Sequence, residues 1–271
     1  MKLYVLDNGY NENDYALIIA LPALATAENR NPPAIWCRVP VYTVLIDTSE
    51  GLVLFDTACC VDWKTRWEPS KHLITPHTCT DAQQLPAALG RIGFAPEDIR
   101  YVVASHLHSD HAGCLELFPN ATVYVHEDEF AHTMQRYARP GDMQAYARAD
   151  VSAWLDAGLK WEFIARDAAD FELAPGVTVL NLGSGHCCGM LGLHVQLEKT
   201  GHILLPSDAV DTAENYGPPA HLPGDIYDSV GYLRTIKKLQ ALQKRLKAQV
   251  WFGHDREQFQ TLTKSDEGYY D

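Results

Sequence analysis

The chain opens on a short apolar run between polar residues, Lys2 to Asp7, with the length and composition of a strand. Val41 to Asp47 and Gly51 to Asp56 flank Thr48-Ser49-Glu50 and predict a hairpin. Between these strands, Leu21 to Pro40 carries four prolines and no periodicity, which predicts a long loop of the kind that frames binding sites. Asp81 to Ile92 places Leu85, Leu89 and Ile92 on one face and predicts a helix. Ile99 to Ala104 reads as a buried strand that ends at a cluster of histidines, and Thr122 to Val125 as another short strand. Glu127 to Tyr137 predicts a helix, and residues 139–160 a loop with a short helix. Strand patterns return at Val177 to Leu182, Leu191 to Leu197 and His202 to Pro206.

The clearest helical signal is Ser229 to Lys247, with Val230, Leu233, Ile236, Leu239, Leu242 and Leu246 as its apolar stripe. A last strand, Gln249 to Gly253, ends at His254. No repeat or linker interrupts the order, which falls into two similar halves. The expectation is an α/β fold of two mixed sheets packed together with helices outside, as a single domain over residues 1–271.

Composition narrows the function. With 46% hydrophobic and 21% charged residues the chain is an ordinary globular one, long enough to bury a core without metals or disulfides, so any metal is free to be catalytic. A formal net charge of -13 repels phosphate backbones and anionic membranes, so neither nucleic acid nor membrane is expected as a partner. The basic stretch Lys237 to Lys247 has helical spacing and reads as a solvated face. Seven cysteines, odd in number and including two adjacent pairs, do not suit a secreted disulfide framework. The N-terminus has no signal-peptide pattern and no apolar run is long enough to span a bilayer, so the cytoplasm is the expected compartment.

Candidate chemistry concentrates in His106-Leu107-His108-Ser109-Asp110-His111. On an extended segment residues i and i+2 point the same way, so His106 and His108 can reach one cation. Asp110 and His111 come after a turn, where a second cation would sit. Imidazole nitrogens with a few carboxylate oxygens suit zinc, and also iron, manganese or cobalt. A bimetallic site needs more donors, and His186, Asp208 and His254 each stand just past a predicted strand, where loops converge on one sheet edge.

The set His106, His108, Asp110, His111, His186, Asp208 and His254 resembles the metallo-β-lactamase superfamily in order and spacing across nearly the whole chain. The resemblance implies a sandwich with helix, sheet, sheet and helix layers. It implies one metal on His106, His108 and His186, a second on Asp110, His111 and His254, and Asp208 bridging them with a hydroxide. Leu54-Phe55-Asp56-Thr57 resembles the family's early aspartate motif, in which Asp56 orients a ligand histidine without binding metal.

Within the superfamily, true zinc β-lactamases carry cysteine where Asp208 stands, flavodiiron reductases carry glutamate in place of His108, and nucleases want a basic surface. Glyoxalase II shares the seven residues but has a helical extension, for which the 271 − 254 = 17 residues after His254 are too few. Three segments instead resemble the N-acyl-homoserine lactonases: Ser105 to Cys114, His126-Glu127-Asp128-Glu129-Phe130 and Gly253 to Phe259. The long proline-rich N-terminal loop and Asn215-Tyr216-Gly217-Pro218-Pro219 resemble that group as well. The 4-pyridoxolactonases belong to the same branch.

This resemblance implies a metal-dependent lactonase, an N-acyl-homoserine lactonase active in quorum quenching, with zinc the first expectation. Hydroxide held between the metals would attack the lactone carbonyl, and Asp110 would pass a proton to the departing ring oxygen. A lactonase for 4-pyridoxolactone and a glyoxalase II-like thioester hydrolase stay open, and homodimers are common among such relatives. One departure stands out: where homoserine lactonases carry tyrosine three residues after the bridging aspartate, this chain has Asp211. Asp211, Tyr216 and Trp36 are the expected substrate contacts, with Trp63, Trp67 and Tyr42 in regions that frame the cleft in relatives.

Overall fold

The computed structural model describes residues 1–141 and 143–271. Its first sheet has seven strands: β1 (Lys2–Asp14), β2 (Trp36–Thr48), β3 (Gly51–Phe55), β4 (His77–Thr78), β5 (Ile99–Val103), β6 (Thr122–His126) and β7 (Lys160–Ile164), in the order β4-β1-β2-β3-β5-β6-β7. The second has five: β8 (Phe171–Ala174), β9 (Val177–Gly183), β10 (Met190–Leu197), β11 (Gly201–Ser207) and β12 (Gln249–Phe252), in the order β12-β11-β10-β9-β8. Helices α1 (Trp63–Arg66), α2 (Pro69–Ile74), α3 (Leu85–Arg91), α4 (Glu127–Tyr137) and α5 (Arg148–Asp156) precede the second sheet in the chain. Helices α6 (Ala213–Tyr216), α7 (Ser229–Leu246) and α8 (Arg256–Thr261) lie among and after its last strands.

Side-chain alternation builds the layers. On β3, Val53 and Phe55 face the interior between the sheets while Leu52 and Leu54 face the other way, into a cluster with Leu85 and Leu89 of α3 and Val151 and Trp154 of α5. On β11, Ile203 and Leu205 join the inter-sheet core, and Leu204 packs under Tyr232, Ile236 and Leu239 of α7. Both sheets are mixed, since β3, β5, β6 and β7 run parallel, as do β11 and β12, while the remaining pairs are antiparallel. The layers are therefore helix, sheet, sheet and helix, as expected.

Several elements differ from expectation for identifiable reasons. Strand β1 runs on to Asp14 because a bulge between Asp7 and Tyr10 lets pairing with β2 resume. Gly9 makes that bulge possible, with φ of +92° and the Thr78 carbonyl lying where a Cβ would project. The expected helix at Asp81 splits into a 3-10 turn, Asp81–Gln83, and α3, which restarts with Pro86 in its first turn, the one place a helix accepts proline. Within 139–160 the short helix is α5, and position 142 lies outside the described residues. Strands β7 and β8 have no counterpart in the sequence pattern; both are short sheet-edge strands, β7 largely exposed and β8 half-buried. On α7 the buried face is Gly231, Tyr232, Thr235, Ile236 and Leu239, so Val230 and Leu233 of the expected stripe face outward. Asp228 caps this helix by accepting from the amides of Val230 and Gly231.

Candidate metal centre

Strand direction decides where the polar residues meet. β3 and β5 are parallel, so their C-terminal ends, carrying Asp56 and the segment Ser105 to His111, lie on one edge. In the second sheet β9 runs in the direction of β11, each being antiparallel to β10, and β12 is parallel to β11. The residues after these strands, His186, Asp208 and His254, therefore also share an edge. Asp56 and Ser207 have φ of 62° and 51°, a left-handed conformation uncommon outside glycine, which turns the chain at the ends of β3 and β11.

Asp56 orients the donors around it. Its Oδ1 accepts the Ser105 amide at 2.7 Å, and its Oδ2 accepts the Ser105 hydroxyl at 2.9 Å, the Ser207 hydroxyl at 3.1 Å and His111 Nδ1 at 2.9 Å. His106 Nδ1 lies 2.9 Å from Ser105 Oγ, His186 Nδ1 3.1 Å from the Asp225 carbonyl, and His254 Nδ1 2.8 Å from the Pro40 carbonyl. An imidazole nitrogen facing an acceptor carries the proton, so in these four rings Nδ1–H points outward and Nε2 offers a lone pair inward.

Those lone pairs converge on carboxylates and on one another. Asp208 Oδ1 is 3.3 Å from His111 Nε2, and its Oδ2 is 3.2 Å from His254 Nε2, 3.6 Å from His186 Nε2 and 3.8 Å from His106 Nε2. Asp110 Oδ2 is 3.8 Å from Nε2 of both His111 and His254. His108 Nδ1 faces His186 Nε2 at 3.1 Å. Among the described residues, His106 Nε2, His111 Nε2 and Asp208 Oδ1 are buried without a hydrogen-bond partner. Such atoms are costly unless something positive stands between them.

The acid–base behaviour carries the same demand. Burial and the neighbouring imidazoles hold His106 and His108 well below the ordinary histidine range, as neutral bases. Burial opposes charge on His111 and His254, yet the carboxylates outweigh it, raising His111 well above normal and His254 to about 9. Burial likewise opposes ionisation of Asp208, but His111 and His254 hold its carboxyl well below the usual range. Protons or metal cations must fill the centre. Nitrogen and oxygen donors in groups whose ligand atoms lie within 4.8 Å of one another fit divalent cations: His106, His108 and His186 form one group, and Asp110, His111 and His254 another. Asp208 joins His106 and His111 in a third, which spans the first two.

The other expected residues separate. A cavity opens onto the centre, walled by His108, Asp110, His186, Asp208 and His254; Asp211 lines it too and shares a donor group with His186 and Asp208, and burial, then the Asp208 charge, raises its carboxyl to about 7. Trp67 also lines it. Tyr216 does not: α6 turns its ring onto Phe252 beneath α7, where its hydroxyl meets Gln243 at 3.0 Å. Trp36 begins β2 opposite Asp14, is 55% exposed and borders an adjoining groove with Arg38 and Arg256, which shares Ile18, Val39 and His254 with the cavity. Tyr42 is half-buried and donates to the Phe252 carbonyl, and Trp63 packs edge-on against His77. Of the proline-rich loop and its approach, Leu17, Ile18 and Val39 reach the cavity, while residues 20–35 lie mostly exposed.

Sequence reasoning missed the polar support. His77 contacts Asn11 Oδ1 at 2.9 Å, and Asn11 Nδ2 donates to Asp110 Oδ2 at 2.8 Å, so a histidine and an amide orient that carboxylate. Glu129 Oε1 accepts the Leu107 amide at 3.1 Å and the Tyr146 hydroxyl at 2.9 Å, fixing the histidine segment. Lys71 Nζ donates to the carbonyls of Gln144 and Ala145 at 3.0 and 2.8 Å. The only sequence signal was the glutamate in the His126 to Phe130 motif.

A sandwich of this topology with this donor set on one edge defines a class, and the chain belongs to the metallo-beta-lactamase superfamily, whose family model matches residues 38–243. More particularly, it is 41% identical over 273 residues to the N-acyl homoserine lactonase AiiB of Agrobacterium fabrum, covering 100% of this chain and 99% of that protein. It is 30% identical over 226 residues to the N-acyl homoserine lactonase AiiA of Bacillus thuringiensis subsp. kurstaki, covering 82% and 83%. Among solved structures it resembles a B. thuringiensis AiiA variant with N-decanoyl-L-homoserine bound at the active site, with TM-score 0.81, 28% identity and coverage of 100% and 98%. It resembles equally an N-acyl homoserine lactone hydrolase with the product N-hexanoyl-L-homoserine bound at the catalytic metal center, with TM-score 0.81, 27% identity and the same coverage.

Proposed function

We propose that this chain, acting as one domain over residues 1–271, is a dinuclear metal-dependent N-acyl homoserine lactonase. The observation that carries the reading is the convergence of inward lone pairs, with His106 Nε2, His111 Nε2 and Asp208 Oδ1 buried without a hydrogen bond, in a chain this similar to curated lactonases. His106, His108 and His186 would hold one divalent cation, Asp110, His111 and His254 the other, and Asp208 would reach both. Zinc is the first expectation from the nitrogen-rich donor set. When bound, such a pair of cations acidifies a water between them and polarises an ester carbonyl.

The chain's own residues do the rest. Asp56, through Ser105, Ser207 and His111, fixes which ring nitrogens face inward. Water adds to the lactone carbonyl, the ring C–O bond breaks, and the departing alkoxide takes a proton to become the hydroxyl of an N-acyl homoserine. Asp110, at the cavity wall and held by Asn11, would take the proton that the attacking water gives up and pass it to that oxygen. Asp211 lies in the same cavity, ready to accept from a donor on the substrate such as the amide N–H beside the ring. That carboxylate also favours a second reading, a lactone such as 4-pyridoxolactone. The product of either reaction is a hydroxy acid, and opening acyl homoserine lactones is quorum quenching. Seven free cysteines, five of them buried, favour a cytoplasmic setting. No helix among the described residues is long and apolar enough to cross a membrane.

The test is a ring-opening panel of acyl homoserine lactones, 4-pyridoxolactone and simple γ-lactones, run with metal analysis on the wild type and on His106→Ala. The expected result is opening of the acyl homoserine lactones and joint loss of metal and activity in the variant. Turnover unaffected by metal removal contradicts the reading.

A further inference from the structure

Next to the catalytic cavity lies a second one of about 520 Å³, and the two share His108, His186, Lys71, Ala145 and Asp225 in their walls. Ile74, Ile226 and Cys187 give the second cavity apolar stretches. Tyr146 forms the step between them: its ring stands 4.8 Å from the His108 ring on one side, with the His132 ring at 6.0 Å and the Arg136 guanidinium at 5.9 Å on the other. The Glu129 carboxylate holds that ring by its hydroxyl.

We propose that this second cavity receives the acyl chain, and that Arg136 makes it select chains ending in a carboxylate. The proposal rests on the lactonase reading. Arg136 has no ion-pair partner among the described residues, and its Nε is buried without a hydrogen bond. Its guanidinium carbon lies 5.9 Å from the Tyr146 ring centroid, a contact that leaves its N–H groups to bond, and a carboxylate is the group that fits that planar fork. A purely apolar chain would leave the guanidinium desolvated and unpaired, at a cost.

Local charge agrees. Among the described residues lining the cavity, Lys71 and Arg136 are cationic and Asp225 is the single carboxylate, at the end shared with the catalytic cavity. Lys71 spends its donors on backbone carbonyls, which leaves its charge but not its hydrogen bonds for a ligand. Burial, then Arg136 and Arg139, disfavours protonation of His132, so the histidine stays an uncharged wall. In a protein of net charge -13, two cations in one wall make this cavity locally favourable to an anion.

The experiment compares N-acyl homoserines and their lactones in pairs of six-, eight- and ten-carbon chains, ending in methyl or in carboxylate. Binding of the ring-opened products to the metal-loaded full chain is measured by calorimetry, and kcat and KM are measured for the lactones. The carboxylate member should bind about tenfold tighter or more at the best-fitting length, the scale of one charge-assisted hydrogen bond. The gain should appear in KM and shrink with salt. Arg136→Met should erase the preference and Arg136→Lys restore part of it. Arg166→Met, which removes the same charge from the exposed pair with Asp128, should leave it intact. Equal or weaker binding of the carboxylate member at every length, or a preference that survives Arg136→Met, overturns the inference. If neither lactone opens, the lactonase reading fails, and product binding still decides this one: no heat from any product overturns it too.

Discussion

Asp56→Asn tests the organisation of the centre without changing its shape. Asp56 is 3% exposed and receives four donors: one at Oδ1, from the Ser105 amide, and three at Oδ2. A carboxamide has one acceptor oxygen, so either the Ser105 amide or the Oδ2 trio must face an NH2 group. In the second orientation His111 Nδ1 confronts a donor, the ring takes the other tautomer, and its Nε2–H points at Asp208 where a lone pair is needed. Losing such an orienting partner costs about 10–100-fold in metal affinity, roughly 1.4–2.7 kcal/mol. A buried donor left unpaired costs about 1–3 kcal/mol of fold stability besides. Competition between the apo protein and a chromophoric chelator reads both metal constants, and thermal melts of the apo protein read the stability. The group with His111 should weaken more than the group with His186, whose Nδ1 is held by a backbone carbonyl. A variant with lowered Tm but both metal constants unchanged would refute the reasoning and reduce Asp56 to a fold residue.

Three further outcomes are expected from the same geometry. Asn11→Ala removes the amide donor on Asp110 and should lower kcat for lactone opening about tenfold, within the range of a hydrogen bond to a charged group; unchanged steady-state kcat would remove Asn11 from the account. Burial lowers His77 to about 4, below its value when unfolded, so its contribution to stability is complete above pH 6.5 and is lost as pH falls toward 4; that amounts to about 3 kcal/mol. Denaturant titrations of wild type and His77→Gln across that range should converge as pH falls, and parallel curves would contradict the placement. Asp211→Ala should raise KM about tenfold for acyl homoserine lactones but not for γ-butyrolactone, which has no amide; an equal change on both would show that Asp211 does not read the amide.

Much of the centre was legible because metal chemistry leaves dense marks. Four donor-type residues within His106 to His111, after a strand that composition alone marks as buried, needed no long-range information. His186, Asp208 and His254 were visible by their position after strands. Asn11 was not, because its partner Asp110 is 99 residues away, and an asparagine in a polar run looks like any loop residue. Gly9 hid the length of β1 in the same way, since a bulge breaks the alternation that betrays a strand. Tyr216 shows the opposite error. Nearness to Asp208 in sequence suggested nearness in space, but α6 carries its ring to the far side, against Phe252. The edge strands β7 and β8 carried too little buried surface to leave a pattern.

The central claim is that convergent histidines and carboxylates form a two-metal lactone-opening site. Titrating zinc into the metal-free chain while monitoring the opening of N-hexanoyl homoserine lactone tests it most directly. The account predicts no turnover at the start and activity that saturates at two equivalents per chain. Full activity before any metal is added, or no lactone opened at two equivalents bound, would contradict it.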